Sequence, residues 1–505
     1  MIFNSLSFIL LFLPLCYAGF ILTHRGLGWP GAYAFLVVTS IIFYAQFNVL
    51  LALVLVGSIT FNFLVGQTIQ KLSDRSTARL LMLGAITVNL VALGYFKYVN
   101  FFIDITNSVS GGGFSHLDIL VPVGVSFFTF TQIGYLIEAS AGRARKVNFV
   151  KYALFAGFFP CVTAGPLLLQ REMFDQMDKR TDSAFNPARV SIALTMFGIG
   201  LAKKVLIADS IAPFSNTVFD GVAAGQAVAM TEAWIGSLCY TLQLYFDFSG
   251  YSDMAIGIAF LFGFKLPLNF NSPFKATSIS EFWSRWHMTM TRFFTTFIYT
   301  HFAMTNARRA QEHDYGRVRK WLAAGAAPVF YTFVIAGIWH GAGWTFVVYG
   351  LIHGTALAIN HGWREFGFPK VPSALGWFLT MLVVVMGLVV FRAQDLGTAG
   401  TILAAMWGLT KIFMEMQASV WISIDVYPAV LAILVGTVIV LTMPNSQEIL
   451  RGQWMSCDKM PENIRTSKSW LSWSPTAAWA AGVGLLIVIA ATSLNDTSGF
   501  LYYDF

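Results

Sequence analysis

The chain has 505 residues, of which 56% are hydrophobic, 16% aromatic and 11% charged, and its mean hydropathy is +0.65. A soluble domain needs far more charge to cover its surface, so this composition excludes an ordinary soluble enzyme and predicts a polytopic membrane protein. The net charge of +7 comes from basic residues in short loops between apolar runs, which is the positive-inside pattern. Membrane lipid is therefore the expected partner of this charge, and no nucleic-acid partner is predicted.

Only α-helices and closed barrels satisfy their backbone hydrogen bonds in a bilayer, and the strand-like alternation of a barrel is missing here. We predict an all-α bundle of about 11 to 14 membrane segments, some of them re-entrant, in one integral-membrane domain. The candidate segments are Ser5–Thr23, Trp29–Gln46, Phe47–Gly66, Leu80–Phe96, Ile119–Ala139, Tyr152–Gln170, Val190–Ile211, Ala233–Phe264, Phe282–Phe302, Leu322–Trp363, Leu375–Phe391, Ile402–Met414, Val426–Met443 and Ala477–Thr492.

The first of these runs has no Lys or Arg before Arg25, so it lacks the basic region of a signal peptide and is expected to remain as a membrane helix. Further along, Tyr152–Gln170 contains Pro160 and Gly165-Pro166, which break helix geometry. A full crossing there would also place the charged stretch that follows it on the wrong side of the membrane. We therefore predict that this segment is re-entrant.

The longest uncharged stretch is Trp321–Trp363, with 43 residues and no Asp, Glu, Lys or Arg. As one helix it would be roughly 65 Å long, about twice the thickness of the hydrocarbon core. It is therefore predicted to fold back, or to run tilted and broken, near Gly341 and Gly343.

The common catalytic signatures are missing from the sequence. There is no GxxxxGK[ST] phosphate loop, no HExxH, no GxSxG and no H-x4-D pair among the eight histidines. The four cysteines are scattered without a CxxC pair. The sequence therefore does not favour ATP hydrolysis or serine-type catalysis. Neither a disulfide framework nor a metal site is predicted.

Ionisable side chains inside apolar runs are costly, by about 2.5 to 3.5 kcal/mol at mid-helix, so they usually face a cavity or a partner. Asp247 and Asp253 lie in such a run, but six residues turn a helix by about 240°, so the two carboxylates would not share a face. A buried hydrogen-bonded network is the favoured interpretation of these two residues. Trp283, Trp286 and His287, at spacing i, i+3 and i+4, are expected to share one helix face.

Two more histidines lie in "IWHGAGWTFVVYGLIHG", Ile338 to Gly354. His340 and His353 are 13 residues apart, about 220° around a helix, so only one of them is expected at a site. Imidazole is the side chain whose neutral form accepts a proton near pH 7, and burial favours that neutral form. A histidine in an apolar well is suited to general-base catalysis. A histidine that only hydrogen-bonds between helices fits the spacing equally well.

A series of motifs follows in order along the chain: "VPVGVSFFTF", "AGPLLLQRE", "YFDFSGYSDMAIGIAFLFGF", "LPLNFNSPF", "FWSRWHMTMTRFF", "IWHGAGWTFVVYGLIHG" and the C-terminal "FLYYDF". Taken together, these motifs resemble those of the membrane-bound O-acyltransferase family, above all its bacterial alginate O-acetyltransferase branch, with D-alanyl transfer to teichoic acid as a relative. The resemblance runs from about Val121 to His353.

The resemblance implies a helical bundle around a central funnel or tunnel, with His340 at its narrow point and His287 as the second catalytic histidine. Candidates for the lining of that tunnel are Asp247, Asp253, Trp286, Trp339, Asn269 and Asn271. It also implies a multi-pass protein of the bacterial inner membrane that takes an acyl group, expected to be acetyl, from acetyl-CoA or another acyl thioester or acyl carrier. The group is passed across the membrane to an extracytoplasmic polysaccharide, commonly with a periplasmic esterase-like partner, and no tightly bound cofactor is implied.

The chain departs from the alginate-type pattern at three places. "TTFIYTHFAMTNARRAQ" follows Phe294 where those members have a stretch like "DYLYIPLGGNR", Leu168-Leu169-Gln170 follows the GP motif, and "YYDF" replaces "YFQF". Alginate is therefore not assumed as the acceptor. The polar stretch Asn306–Lys320 is predicted to be a basic loop, and its five cations are candidates for a cytoplasmic, donor-side surface that suits CoA phosphates or lipid head groups. They are Arg308, Arg309, Arg317, Arg319 and Lys320.

Two other functions are compatible with the composition. A proton-coupled transporter or polysaccharide-export subunit would use His340 and the two aspartates as a proton relay, but such transporters commonly show related halves and no internal repeat is evident. A membrane scaffold that only recruits a periplasmic enzyme would leave His340 replaceable.

Overall fold

The computed structural model describes residues 2–409, 422–467, 469–494 and 499–503. Within these ranges every element longer than one residue is helical, and the β contact that occurs is a single parallel bridge between Leu266 and Ser456. The all-α prediction is confirmed.

Six of the described helices are long and apolar enough to cross a membrane: Phe8–Ala45, Val49–Lys71, Arg75–Ser110, Pro187–Ala223, Arg317–His340 and Ser373–Arg392. Three shorter apolar helices are Leu396–Met406, Val426–Thr442 and Ala477–Thr492. The other α-helices of the described residues are Val125–Ser140, Phe149–Gly157, Phe159–Val162, Gln170–Asp178, Met230–Leu261, Ile279–Trp283, Met288–Phe294, Thr300–Glu312, Trp344–Glu365, Ser446–Ile449 and Glu462–Arg465. The protein is a polytopic helical membrane protein, as predicted.

Four predicted segments differ in detail from these helices. The first two lie in one helix, Phe8–Ala45, which Gly28 interrupts between them with a positive φ of 65° that favours glycine. The predicted segment Ile402–Met414 is helical up to Met406, and its residues 410–414 lie outside the described residues. The predicted segment Phe282–Phe302 is not one helix, because the helix Ile279–Trp283 ends before a second one begins at Met288.

The residues group into two compact units. The first comprises Met1–Ala202, Gly250–Leu268 and Ser446–Asp504, and the second comprises 203–249 and 269–445. The single-domain organisation inferred from the sequence stays a prediction.

Aromatic packing and polar pairs hold the first unit together. Phe43 lies 5.9 Å from Phe8 and 5.5 Å from Phe159, measured between ring centroids, at the centre of a phenylalanine cluster. Asn62 and Asn89 exchange side-chain hydrogen bonds of 3.0 and 2.8 Å and so join the helices Val49–Lys71 and Arg75–Ser110. Such amide pairs join helices where no water competes for the hydrogen bond.

The predicted break in Tyr152–Gln170 is present in the first unit. Helix Phe149–Gly157 ends at Gly157, a short helix spans Phe159–Val162, and non-helical chain leads to the helix Gln170–Asp178. All of the side chains in this segment are buried apart from that of Leu169, which is partly exposed. Protein therefore surrounds the irregular backbone, the condition under which it is tolerated at membrane depth.

The uncharged stretch folds back as a helical hairpin in the second unit. Helix Arg317–His340 ends at His340, Gly341 and Gly343 have extended backbone, and helix Trp344–Glu365 returns along it. The close packing depends on glycines, since a Cβ at Gly350 would collide with the Phe333 carbonyl. The predicted fold-back at Gly341 and Gly343 is confirmed.

We expect Gly350→Ala to lower the stability of the protein by roughly 1–3 kcal/mol, because the added methyl group meets backbone that cannot move aside. Gly57→Ala is the matched control, since a Cβ there has no atom within 4 Å and alanine is the better helix former. Thermal unfolding of both variants in detergent tests this. Equal midpoints for Gly350→Ala and the parent would contradict the packing described.

Candidate active site

The two motif histidines come together although 53 positions separate them in the sequence. The ring centroids of His287 and His340 are 6.3 Å apart. His287 is fully buried and His340 is 5% exposed. The second unit therefore holds a pair of imidazoles in an apolar, water-poor environment.

His287 lies in a turn, so the predicted helix face of Trp283, Trp286 and His287 is wrong. Its backbone is left-handed, with φ 43° and ψ 51°, directly before the helix Met288–Phe294. The Asn271 N–H donates to the Arg285 carbonyl and the Met288 N–H donates to the Asn269 carbonyl, both at 2.9 Å. These bonds hold residues 284–287 against residues 269–271, which prevents the helix from continuing.

Asn269 and Thr289 orient the His287 ring. The Thr289 hydroxyl donates to Asn269 Oδ1 at 2.6 Å, and the same oxygen lies 3.3 Å from His287 Nδ1. Because a carbonyl oxygen only accepts, Nδ1 must donate, which leaves the lone pair of a neutral imidazole on Nε2. Asn269 was a tunnel candidate from its motif, whereas Thr289 was missed. A hydroxyl two positions after a histidine is too common to single it out.

Aromatic side chains form the walls around both histidines. Trp339, a predicted candidate, lies 6.0 Å from His287 and 5.0 Å from His340 between ring centroids. Phe248 stands edge-on to His287 at 4.7 Å, and Phe391 stands edge-on to His340 at 5.3 Å. Phe248 and Phe391 were not predicted, because phenylalanine is abundant throughout the chain and its contacts are distant in sequence.

Trp286 lies in the turn that carries His287, and Asn271 lies in the segment that is hydrogen-bonded to this turn. The Trp286 indole stacks on Phe282 with centroids 5.5 Å apart and meets Phe270 edge-on at 5.1 Å. Asn271 Oδ1 accepts from the Asn445 side chain at 3.4 Å. Both residues support the chain around the turn that carries His287.

The two aspartates lie in separate buried networks, as the favoured interpretation of the sequence predicted. In the second unit, Lys204 Nζ lies 2.6 Å from Asp247 and 2.8 Å from Asp209. In the first unit, the Ser446 hydroxyl and the Gln447 amide donate to Asp253 at 2.6 and 3.2 Å. Their placement in a tunnel stays a prediction.

Glu281 and Arg285, which precede His287 in the sequence, form an i, i+4 ion pair with a shortest N···O distance of 2.7 Å. Burial raises the pKa of the Glu281 carboxyl, but hydrogen bonds from Thr277 and Arg285 outweigh it and hold the pKa below its usual range. The stabilisation from this ion pair is therefore present at neutral pH and is lost only as the pH falls through that lowered pKa.

The basic segment Asn306–Lys320 was expected to be a loop, and this is wrong. Most of it is helical, in Thr300–Glu312 and Arg317–Trp321, and Arg308 and Glu312 pair at i, i+4 in the first of these helices with an N···O distance of 2.7 Å. The Arg319 guanidinium lies 3.9 Å from the Tyr315 ring centroid, and that of Arg317 lies 5.3 Å from Phe366. All five cations of the segment are exposed.

One group of potential metal ligands occurs in the described part of the first unit. Ligand atoms of Glu172, Cys457 and Asp458 lie within 4.8 Å of one another. Glu172 already accepts the Leu169 N–H, and Asp458 accepts the Leu268 N–H, at 2.8 and 2.9 Å. Both carboxylates thus have structural roles, and we assign no metal to this cluster.

Comparison with known proteins identifies the family. Residues 123–396 match the model of MBOAT, the membrane-bound O-acyltransferase family. The peptidoglycan O-acetyltransferase of Helicobacter pylori is 36% identical over 449 residues, which cover 82% of this chain and 81% of that protein. The probable alginate O-acetylase AlgI of Azotobacter vinelandii is 34% identical over 526 residues, and the match covers all of both chains.

A more distant relative transfers a different group. The teichoic acid D-alanyltransferase of Lacticaseibacillus rhamnosus is 28% identical over 256 residues, covering 50% of this chain and 62% of that protein. The matched family region contains both site histidines. With the helical membrane fold, these matches show that the chain belongs to the membrane-bound O-acyltransferase family and is an O-acyltransferase.

Proposed function

We propose that the protein moves an acyl group, in the first place acetyl, from a cytoplasmic thioester such as acetyl-CoA to a hydroxyl group of an extracytoplasmic cell-envelope polymer. The observation that carries this proposal is the pair of buried imidazoles of His287 and His340, 6.3 Å apart between ring centroids. The relatives above carry names of enzymes that acylate alginate, peptidoglycan or teichoic acid. They support a polymer of the cell envelope as the class of the acceptor.

His340 is the general base in this proposal. Its imidazole takes the proton of the acceptor hydroxyl while the oxygen attacks the thioester carbonyl carbon, so a C–O bond forms. The C–S bond then breaks, and the thiolate leaves with the proton that the imidazolium returns. The products are the O-acyl ester and the free thiol, and no tightly bound cofactor is needed.

His287 assists this proton transfer. Two roles suit a second histidine here: orienting the acyl carbonyl as a donor, or sharing the proton as an acceptor. The hydrogen bond to Asn269 places the proton of neutral His287 on Nδ1 and the lone pair on Nε2. This tautomer supports the sharing role, because Nε2 then accepts a hydrogen bond.

The bacterial inner membrane is the proposed location, since the donor would be cytoplasmic and the acceptor would lie outside that membrane. Several of the relatives are bacterial proteins with 32% or higher identity over most of the chain. A periplasmic esterase-like protein is proposed as a partner in the acylation of the polymer. The exposed cations of Arg308 to Lys320 are proposed to lie on the cytoplasmic, donor side, where they suit phosphate groups.

We expect His340→Ala to lose nearly all transfer, by about 10²- to 10⁴-fold, because it removes the base, and His287→Ala to lose less. His116→Ala is the control, since that side chain is exposed and pairs with Asp104 in the first unit. Thioester consumption by purified variants, with acceptor present and folding checked by thermal melting, gives the result. Parental turnover by His340→Ala would reject the proposed mechanism.

The topology can be tested separately by single cysteines in a Cys457→Ser background, because Cys457 is the exposed native thiol among those described. We expect Gln311→Cys to resist a membrane-impermeant maleimide in intact cells and to react after the cells are opened. Ser115→Cys is the matched exposed site expected on the opposite side, because one predicted crossing separates it from each of the basic loops 71–79 and 143–151, which are expected to face the cytoplasm. Labelling of Gln311→Cys from outside would place the basic segment on the wrong side for the donor.

A further inference from the structure

His353 lies within a row of ring contacts that leads from Trp283 through Tyr349 to His340. It is buried on the helix Trp344–Glu365, one turn after Tyr349. Its ring centroid is 4.6 Å from that of Tyr349, and the Tyr349 ring stands edge-on to His340 at 6.0 Å and 87°. On its other side, His353 meets Trp283 edge-on at 5.1 Å. The His353 imidazole thus joins Trp283 of the motif "FWSRWHMTMTRFF" to Tyr349 of the motif "IWHGAGWTFVVYGLIHG".

A hydrogen bond fixes the orientation of this imidazole. The indole N–H of Trp283 donates to His353 Nδ1 over 3.3 Å. Because an indole N–H can only donate, Nδ1 accepts, and the proton of neutral His353 lies on Nε2. Nε2 faces Gly387, where an added methyl group would come within 2.6 Å of it.

His353 Nε2 has no hydrogen-bond partner among the described residues. A buried donor without a partner is unfavourable, so a residue needed only to fill this space would be better as leucine or phenylalanine. What histidine provides here, and those residues cannot, is an acceptor for the Trp283 indole. The hydrogen bond is therefore the feature that needs a functional explanation.

We propose that His353 is a positioning residue for acyl transfer. It holds Trp283, the last residue of the helix before the turn that carries His287, and it holds Tyr349 against His340. Misplacement of reacting groups by about 1 Å can lower the rate by about 10²-fold. The contacts of His353 with Trp283 and Tyr349 therefore affect the rate through the positions of His287 and His340. The proposal rests on the proposed function, because it takes His287 and His340 as the reacting pair. It revises the expectation that only one of His340 and His353 serves the site.

The test compares four variants. We expect His353→Leu to lower kcat by about 10- to 100-fold with little change in the KM for the thioester, since binding groups stay in place. His353→Asn should recover most of that loss, because its side-chain oxygen can accept from the indole near the position of Nδ1. Trp283→Phe removes the donor and should lose about as much as His353→Leu. The double variant should lose no more than the worse single variant, because both act through one bond.

Trp377→Phe is the matched control. The Trp377 indole N–H donates to the Phe274 carbonyl at 2.8 Å in the same unit and takes no part in the row of contacts described. Its removal should lower thermal stability as Trp283→Phe does, yet leave kcat unchanged. If His353→Leu does not fold, Trp283→Phe, which keeps an aromatic ring in place, carries the same prediction.

Two results would overturn the positioning role: parental kcat in folded His353→Leu, or losses of Trp283→Phe and His353→Leu that multiply in the double variant. His340→Ala, assayed alongside, separates this outcome from failure of the proposed mechanism. If His340→Ala is inactive while His353→Leu and Trp283→Phe are fully active, positioning alone is rejected. If His340→Ala is active, the general-base assignment and the positioning role are both rejected.

Discussion

A polar side chain removed from water must find a partner inside the protein, because an unpaired donor or charge in an apolar medium costs roughly 2–7 kcal/mol or more. In a chain with 11% charged residues this constraint decides where the polar groups lie. Asp253 is met by two side-chain donors, and Asp247 by the ammonium group of Lys204. Asn62 and Asn89 satisfy each other. These pairings fix helix against helix within each unit.

The histidine pair meets the same constraint in a different way. A neutral imidazole is far cheaper to bury than a carboxylate or an ammonium group, and it still accepts a proton. Aromatic rings can surround such an imidazole without competing for the proton that it accepts. Phe391 and Trp339 surround His340 in this way. A site of this composition excludes water while it retains a group that can act as a base.

The sequence predicted the parts of this structure that depend on local or compositional signals. The hairpin at Gly341 follows from a 43-residue uncharged stretch that is too long for one crossing, and the break after Gly157 follows from nearby prolines and glycines. The turn at His287 was beyond this reasoning, because its cause is a pairing with residues 269–271. The i, i+4 rule presupposes a helix, and that assumption failed between Trp283 and Met288.

Tautomers and ring contacts were equally out of reach, since Thr289 and Tyr349 act through distances that a sequence does not give. The basic segment is a different case. Arg308 and Glu312 stand at i, i+4, a helical signal that was present in the sequence, but the density of charge was interpreted as a loop.

Both histidines lie where a helix begins or ends, and this placement has a chemical consequence. The left-handed backbone of His287 costs about 1–3 kcal/mol, which two flanking backbone hydrogen bonds offset. His340 is the last residue of its helix, at the end with partial negative charge, and such a position stabilises a cation by about 0.3–1 kcal/mol. A positive charge is therefore better stabilised at His340 than at His287, which directly precedes the positive end of a helix. The helix dipoles thus favour His340 as the base and His287 as its assistant.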